Sequence, residues 1–407
     1  MRPLKTITAR PSLRLPADPA FRLAAACCRA AGPERDEVVR KAAASGIDWP
    51  AFARTVARQR VEGLAWEALR QAGVAPDEAV AADLRRVAFD IAAAALRLAA
   101  ESQNLQRRLE AAGLETMVLK GATLDGLAWG RLGLKRAWDI DLLVTPEAAP
   151  AAREVLEAAG YRLLDPVDAT PEVFAAWVSL SKESVFRRPS DGQTVELHWR
   201  LTDTAGMLPA LSAASPGQIV ALANGLSLRT LAPDALFAYL CVHGATHAWS
   251  RLKWLADLGA MLARLDDAGR SHIFRRAAEL GAGRCPAAAL LLCDALLGVA
   301  LPDADAAAIR GDRGAVRLAR LAIEAMAGGG AAEIEDRRFF NDRIVLSQLL
   351  FAHGWRLRVA EAARQSVSLD DRMTLRLPRW LGLLYPLLRG PLWIRRRLGR
   401  RDGFRRS

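Results

Sequence analysis

The stretch Trp138-Asp-Ile-Asp-Leu-Leu-Val144 places two carboxylates in a run whose other residues favour burial. In an extended strand alternate side chains share a face. Asp139 and Asp141 are therefore expected to point one way, and Trp138, Ile140, Leu142 and Val144 the other. Two carboxylates side by side repel unless a cation lies between them, and hard oxygen donors at that spacing suit Mg²⁺ or Mn²⁺. The pair reads as half of a metal site.

Upstream, Leu114 to Leu119 (LETMVL) is a short apolar strand candidate, followed by Lys120-Gly121-Ala122 and a helical-looking ATLDGLAWG. A glycine at a strand-to-helix turn lets backbone approach a phosphate, and a helix start offers it free N–H groups. Strand, glycine turn, helix and a second strand bearing Asp-x-Asp is the order of a nucleotidyltransferase site. A third carboxylate is then expected on a neighbouring strand. Glu196, in Thr194-Val-Glu-Leu-His-Trp199, is the candidate. Ser190-Asp-Gly192 precedes it as a turn signal after Ser184-Val-Phe-Arg-Arg188, which predicts a hairpin. Glu196 and His198 would share one face, and Val195, Leu197 and Trp199 the other.

LKGATL, the Arg136-x-x-Asp-Ile-Asp-Leu-Leu-Val run, Gly160-Tyr161 after a helix, and Glu-Leu-His-Trp together resemble the uncharacterised bacterial nucleotidyltransferase family of the polymerase-beta-like superfamily. The similarity extends weakly through His243 to Asp257. The resemblance implies a mixed sheet with helices, a divalent metal, and transfer of a nucleotidyl group from an NTP to an acceptor that the family does not define. Two departures stand out. Ala122 follows Gly121 where Gly or Ser is common, so no hydroxyl is offered to phosphate there. Glu196 stands where Asp is more usual.

On this reading Asp139, Asp141 and Glu196 are the catalytic, metal-holding carboxylates. Lys120, Gly121, Ala122 and either Lys135 or Arg136 face the phosphates, and His198 either supports Glu196 or takes part directly. His243 and His247, four apart on a predicted helix, could line a nucleotide or acceptor pocket with Asp257. Equally, they belong to an ordinary helix whose polar side meets solvent. His-x-x-x-His also suits zinc, but Gly244 stands where the zincin pattern needs Glu. No P-loop, dinucleotide fingerprint or Gly-x-Ser-x-Gly elbow is present. The rival readings are a catalytically silent nucleotidyltransferase-like scaffold at a membrane surface, and an enzyme that nucleotidylates a protein.

The 407 residues, 52% hydrophobic, suffice for substantial cores. No apolar run is long enough to span a bilayer, and the first residues lack a secretory h-region, so a cytoplasmic protein is expected. Five cysteines without paired spacing read as buried, reduced residues, and no disulfide partner is expected. Residues 372–407 carry eleven arginines against one aspartate, most of the formal charge of +12. The nearly neutral body makes a long nucleic-acid partner less expected. The same segment interleaves Trp380, Tyr385 and Trp393 with arginines, which suits either an anionic membrane surface, on the inner face of the membrane, or a solvated tail.

The expected fold class is α+β: a small mixed-sheet core flanked on both sides by helices. Residues 1–112 read as a helical N-terminal region and 113–204 as the nucleotidyltransferase core. Residues 205–371 read as a second helical region, and 372–407 as the basic aromatic tail.

Overall fold

The computed structural model describes residues 13–327 and 338–367, with Met373 and Leu388 as isolated positions beyond. The basic aromatic segment 372–407 otherwise lies outside the described residues, and so does any role at a membrane. No described helix is long and apolar enough to cross one.

Five helices open the chain: α1 (Pro19–Cys27), α2 (Pro33–Ala43), α3 (Trp49–Gln59), α4 (Glu62–Ala72) and α5 (Glu78–Ala111). Their starts follow ordinary capping. The Asp18 and Asp48 side chains each accept a backbone N–H of the first turn, and a proline sits in the first turn of α1, α2 and α3. The long α5 feeds β1 (Met117–Val118), which is only two residues of the expected strand. After Gly121 the chain turns through α6 (Ala122–Leu124) and a π-helical turn, Asp125–Trp129, into β2 (Asp139–Leu143).

Next come α7 (Ala149–Ala158), β3 (Arg162–Asp165), α8 (Pro171–Leu180), β4 (Glu183–Arg187) and β5 (Thr194–His198). The five strands form one mixed sheet in the order β1-β2-β5-β4-β3. Only β2 and β5 run parallel, and β4–β5 is the antiparallel hairpin expected around Ser190-Asp-Gly192. One face of the sheet carries Ile140, Leu142, Val195, Leu197 and Phe186 against α5, α7 and α8. The other face carries the carboxylates. Trp138 departs from the expected alternation: β2 starts at Asp139, and Trp138 is 56% exposed with the Arg136 guanidinium 5.3 Å from its ring centre.

The region from 205 on is not purely helical. A second sheet pairs β6 (Gly217–Ala221) with β7 (Ser227–Leu231), antiparallel around Asn224-Gly225. Asn224 takes the left-handed conformation at φ 59, which such hairpin turns favour. Beyond it lie α9 (Pro233–Thr246) and α10 (Leu252–Leu262), two helices where the sequence suggests one, and then further helices to Trp355–Gln365. The N-terminal helices and the helices after 231 share one apolar core, from Phe21 and Phe52 to Leu290 and Phe351. All five cysteines are buried, and burial raises the pKa of each thiol.

Gly133 fixes the link between the π turn and β2 against α5. It sits at φ +81, and a Cβ there would stand 2.5 Å from Ala92 Cα. Gly133→Ala is expected to cost at least about 1–2 kcal/mol from the left-handed backbone alone, with the backbone clash added. A urea melt with an unchanged midpoint would contradict this account.

Candidate active site

Strand register assembles the site. Asp141 pairs with Glu196 across the parallel β2–β5 ladder, and Glu183 pairs with His198 across β4–β5. The period of two then puts Asp139, Asp141, Glu196, His198 and Glu183 on one face of three adjacent strands. One ligand-capable atom each from Asp141, Glu196 and His198 lie within 4.8 Å of one another. Among the described residues this is the group with metal-holding spacing.

The cations around this face are unequally engaged. Lys120 Nζ lies 2.8 Å from Asp141 Oδ1, and His198 Nε2 lies 3.2 Å from the same oxygen and 3.5 Å from Glu196 Oε2. His198 Nδ1 is 2.9 Å from Glu183 Oε2 but off the hydrogen-bond line, so that contact is chiefly electrostatic. Burial and Lys182 oppose a charge on His198, yet Asp141, Glu183 and Glu196 outweigh them and push its pKa up to about 10. In the absence of a metal ion the imidazole is charged at neutral pH, and it would release that proton on serving as a ligand.

Asp141 is buried, but Lys120 and His198 hold its carboxyl well below the usual range. Among the described residues Asp139 has no ion-pair partner of this kind. Burial, Asp141 and Glu196 push its carboxyl up to about 6. A carboxyl so raised beside two others has too little positive charge in contact, which an oxygen-seeking divalent ion would correct. The group with ligand spacing is Asp141, Glu196 and His198, with Asp139 on the same sheet face, and such a cluster could hold a divalent ion.

Gly121 adopts φ +66, and nothing lies within 4 Å of where its Cβ would stand, so the backbone here is open to close approach. Ala122 offers no hydroxyl. The next residue does not replace it, because the Thr123 hydroxyl donates back to the Lys120 carbonyl at 3.1 Å.

Lys135 and Asp257, expected at the nucleotide, are paired with each other inside the fold. The Lys135 ammonium, 8% exposed, sits 2.7 Å from Asp125 Oδ1 and 2.9 Å from Asp257 Oδ1. Trp129 Nε1 donates to Asp257 at 2.8 Å, and Asp125 also accepts from the Gly133 backbone N–H. This buried ion triad locks the π turn to α10 and leaves no charge for a phosphate. Arg136 is likewise engaged, donating to Glu62 at 2.8 Å. His243 and His247 do reach the carboxylate face of the fold. Tyr239, His243 and His247 stand one turn apart on α9, with ring centres 5.7 and 4.8 Å apart, and His247 stacks on Trp254 at 5.1 Å. Burial and Lys120 lower both imidazole pKa values, that of His247 to about 4, so these rings are neutral.

Two residues escaped the sequence reading. Glu183 stands one position before the hairpin strand as read, although the alternation that selects Glu196 and His198 extends to it. Lys253 lies over the Trp254 ring, 5.6 Å from its centre and in the field of Asp139. No described carboxylate forms an ion pair with it. Burial and the cations Arg60, Lys135 and Lys120 lower its pKa to about 8.

Removing the cation of the triad leaves two buried carboxylates facing each other. Lys135→Ala is expected to lose about 3–5 kcal/mol of stability, the scale of an orphaned buried ion pair. Chemical denaturation measures it, and a loss within error of zero would remove the structural assignment.

No curated protein matches the chain at a significant level. A family model described as "uncharacterised nucleotidyltransferase" matches residues 45–298, which takes in α4, the whole five-stranded sheet, the carboxylate cluster, the ring ladder of α9 and the ion triad. With more than half of its length matched, and the matched part containing every residue of this site, the chain belongs to that nucleotidyltransferase family.

Proposed function

We propose that the chain is a metal-dependent nucleotidyltransferase of the polymerase-beta-like kind, moving an NMP from an NTP to a hydroxyl acceptor with release of pyrophosphate. The observation that carries this reading is that Asp139, Asp141 and Glu196 share one sheet face, with ligand atoms of Asp141, Glu196 and His198 within 4.8 Å of one another, beside an open glycine turn. These three carboxylates would hold Mg²⁺ or Mn²⁺. When bound, such an ion neutralises charge on the triphosphate and lowers the pKa of the attacking hydroxyl.

The chain's own residues supply the rest. His198, fixed between Asp141, Glu196 and Glu183, keeps the carboxylates of neighbouring strands in register with one another. Lys120 holds Asp141 ionised. Gly121 admits the phosphate chain to the backbone. Lys253, lacking a described carboxylate partner, offers its charge to the phosphates, a service that Lys135 and Arg136 are too engaged to give.

A second reading has its own support: the Lys120 ammonium already rests on Asp141, and Ala122 lacks a hydroxyl. A catalytically silent scaffold would keep that ion pair and take up no nucleotide. Calorimetry with Mg²⁺ and each NTP separates the two, since the enzyme binds nucleotide only with metal present and a chelator abolishes the signal.

Asp141→Asn is expected to lower nucleotidyl transfer from labelled NTP by about 10²–10³-fold or more, the scale of losing one fixed electrostatic group. The variant should retain the far-UV spectrum and a cooperative melt. Unchanged turnover in a folded Asp141→Asn protein removes the mechanism.

A further inference from the structure

Beside the carboxylate face, a cavity of about 370 Å³ opens between the β5 exit, α9 and the C-terminal helices. Its wall includes His243, His247, Lys182, Thr202, Asp203 and Arg364. The volume falls within the range of roughly 300–1,000 Å³ typical of small-molecule sites. We propose that this cavity is the acceptor site, and that it takes a small polyhydroxylated molecule without a phosphate, an amine-bearing sugar fitting best. The proposal rests on the nucleotidyltransferase reading and adds the acceptor class to it.

Position is the first argument. Lys182 touches Glu183, which contacts His198, which contacts Asp141, so the cavity wall stands one short chain of side chains from the carboxylates. The α9 ladder runs the same way: Tyr239 is in the field of Lys120 and Asp141, while His243 and His247 line the cavity. An acceptor lying on the two imidazoles has its hydroxyls directed along that ladder.

Charge is the second argument. Lys182 is matched by Glu183, and Arg364 by Glu361 at 2.6 Å, with Gln348 accepting from Arg364 at 3.1 Å. Arg200 faces the adjoining cavity and donates to the Val178 and Ser181 carbonyls. The Asp203 carboxylate has no described hydrogen bond or ion pair, although it lines both cavities. The residue is exposed, so this carboxylate is open to a ligand, and Lys182 and Arg364 act on it only at a distance. Donor-rich ligands, amines above all, satisfy such a group. A phosphate here meets an unmatched negative charge and cations already neutralised.

In the transfer, an acceptor hydroxyl oxygen forms a bond to the α-phosphorus and gives its proton to solvent. The bond from that phosphorus to the bridging oxygen breaks, and pyrophosphate departs with the electron pair. Nothing is oxidised or reduced.

The test is calorimetry on the full chain with Mg²⁺ and a non-hydrolysable NTP analogue, titrating glucosamine and, separately, glucosamine 6-phosphate. Glucosamine is expected to bind at least about tenfold more tightly than its phosphate, and Asp203→Ala to weaken glucosamine at least about tenfold, each a change of one decade in Kd. Asp203→Ala should leave nucleotide affinity unchanged, because the residue lies outside the carboxylate cluster. Absence of glucosamine binding, equal or tighter binding of the phosphate, or indifference to Asp203→Ala overturns the proposal. The nucleotide titration separates the two levels: a chain that binds Mg²⁺ and nucleotide but not glucosamine loses only the acceptor assignment, whereas one that binds no nucleotide loses the transferase reading.

Discussion

The parallel pairing of β2 with β5 is the constraint on which the site depends. Its register sets Asp141 opposite Glu196, and the period of two then carries Asp139 and His198 onto the same face. A slip of one residue would turn Glu196 into the apolar layer and bring Leu197 up among the carboxylates. The alternate set, Val195, Leu197, Ile140 and Leu142, is buried against α5, α7 and α8 and makes that slip costly. The apolar layer thus fixes the polar face without touching it.

Around that face, positive charge is allotted with little to spare. Lys135, Arg136 and Lys182 each sit on a carboxylate outside the central cluster, whereas Lys120 and His198 serve Asp141. Among the described residues Asp139 forms no ion pair and feels Asp141 and Glu196 more strongly than Lys120 and Lys253, while Lys253 forms no ion pair with a carboxylate. A site whose fixed charges are incompletely matched in both signs is suited to a ligand that is itself an ion pair, as a metal-bound triphosphate is.

Much of this was legible in the chain. Asp139, Asp141, Glu196 and His198 could be placed on one face because strand periodicity is local, and Ser190-Asp-Gly192 announced the hairpin. The misses have physical causes. Lys135 and Asp257 look like site charges in sequence, but their partners are distant along the chain, and no local pattern shows a buried triad. The β6–β7 hairpin carried an Asn224-Gly225 turn signal, obscured by the Ala- and Leu-rich surroundings that favour a helical reading. Trp138 broke the alternation because β2 begins one residue later. The acceptor cavity draws on residues from 182 to 367, a union that only tertiary packing creates.

The helices before the sheet and those after it close on a single core, from Phe21 to Phe351. During synthesis, the chain must be made through Leu262 before α9 and α10 can cover the carboxylate face, and through Phe351 before the shared core is complete. The long contact range makes assembly slow compared with a bundle of local hairpins.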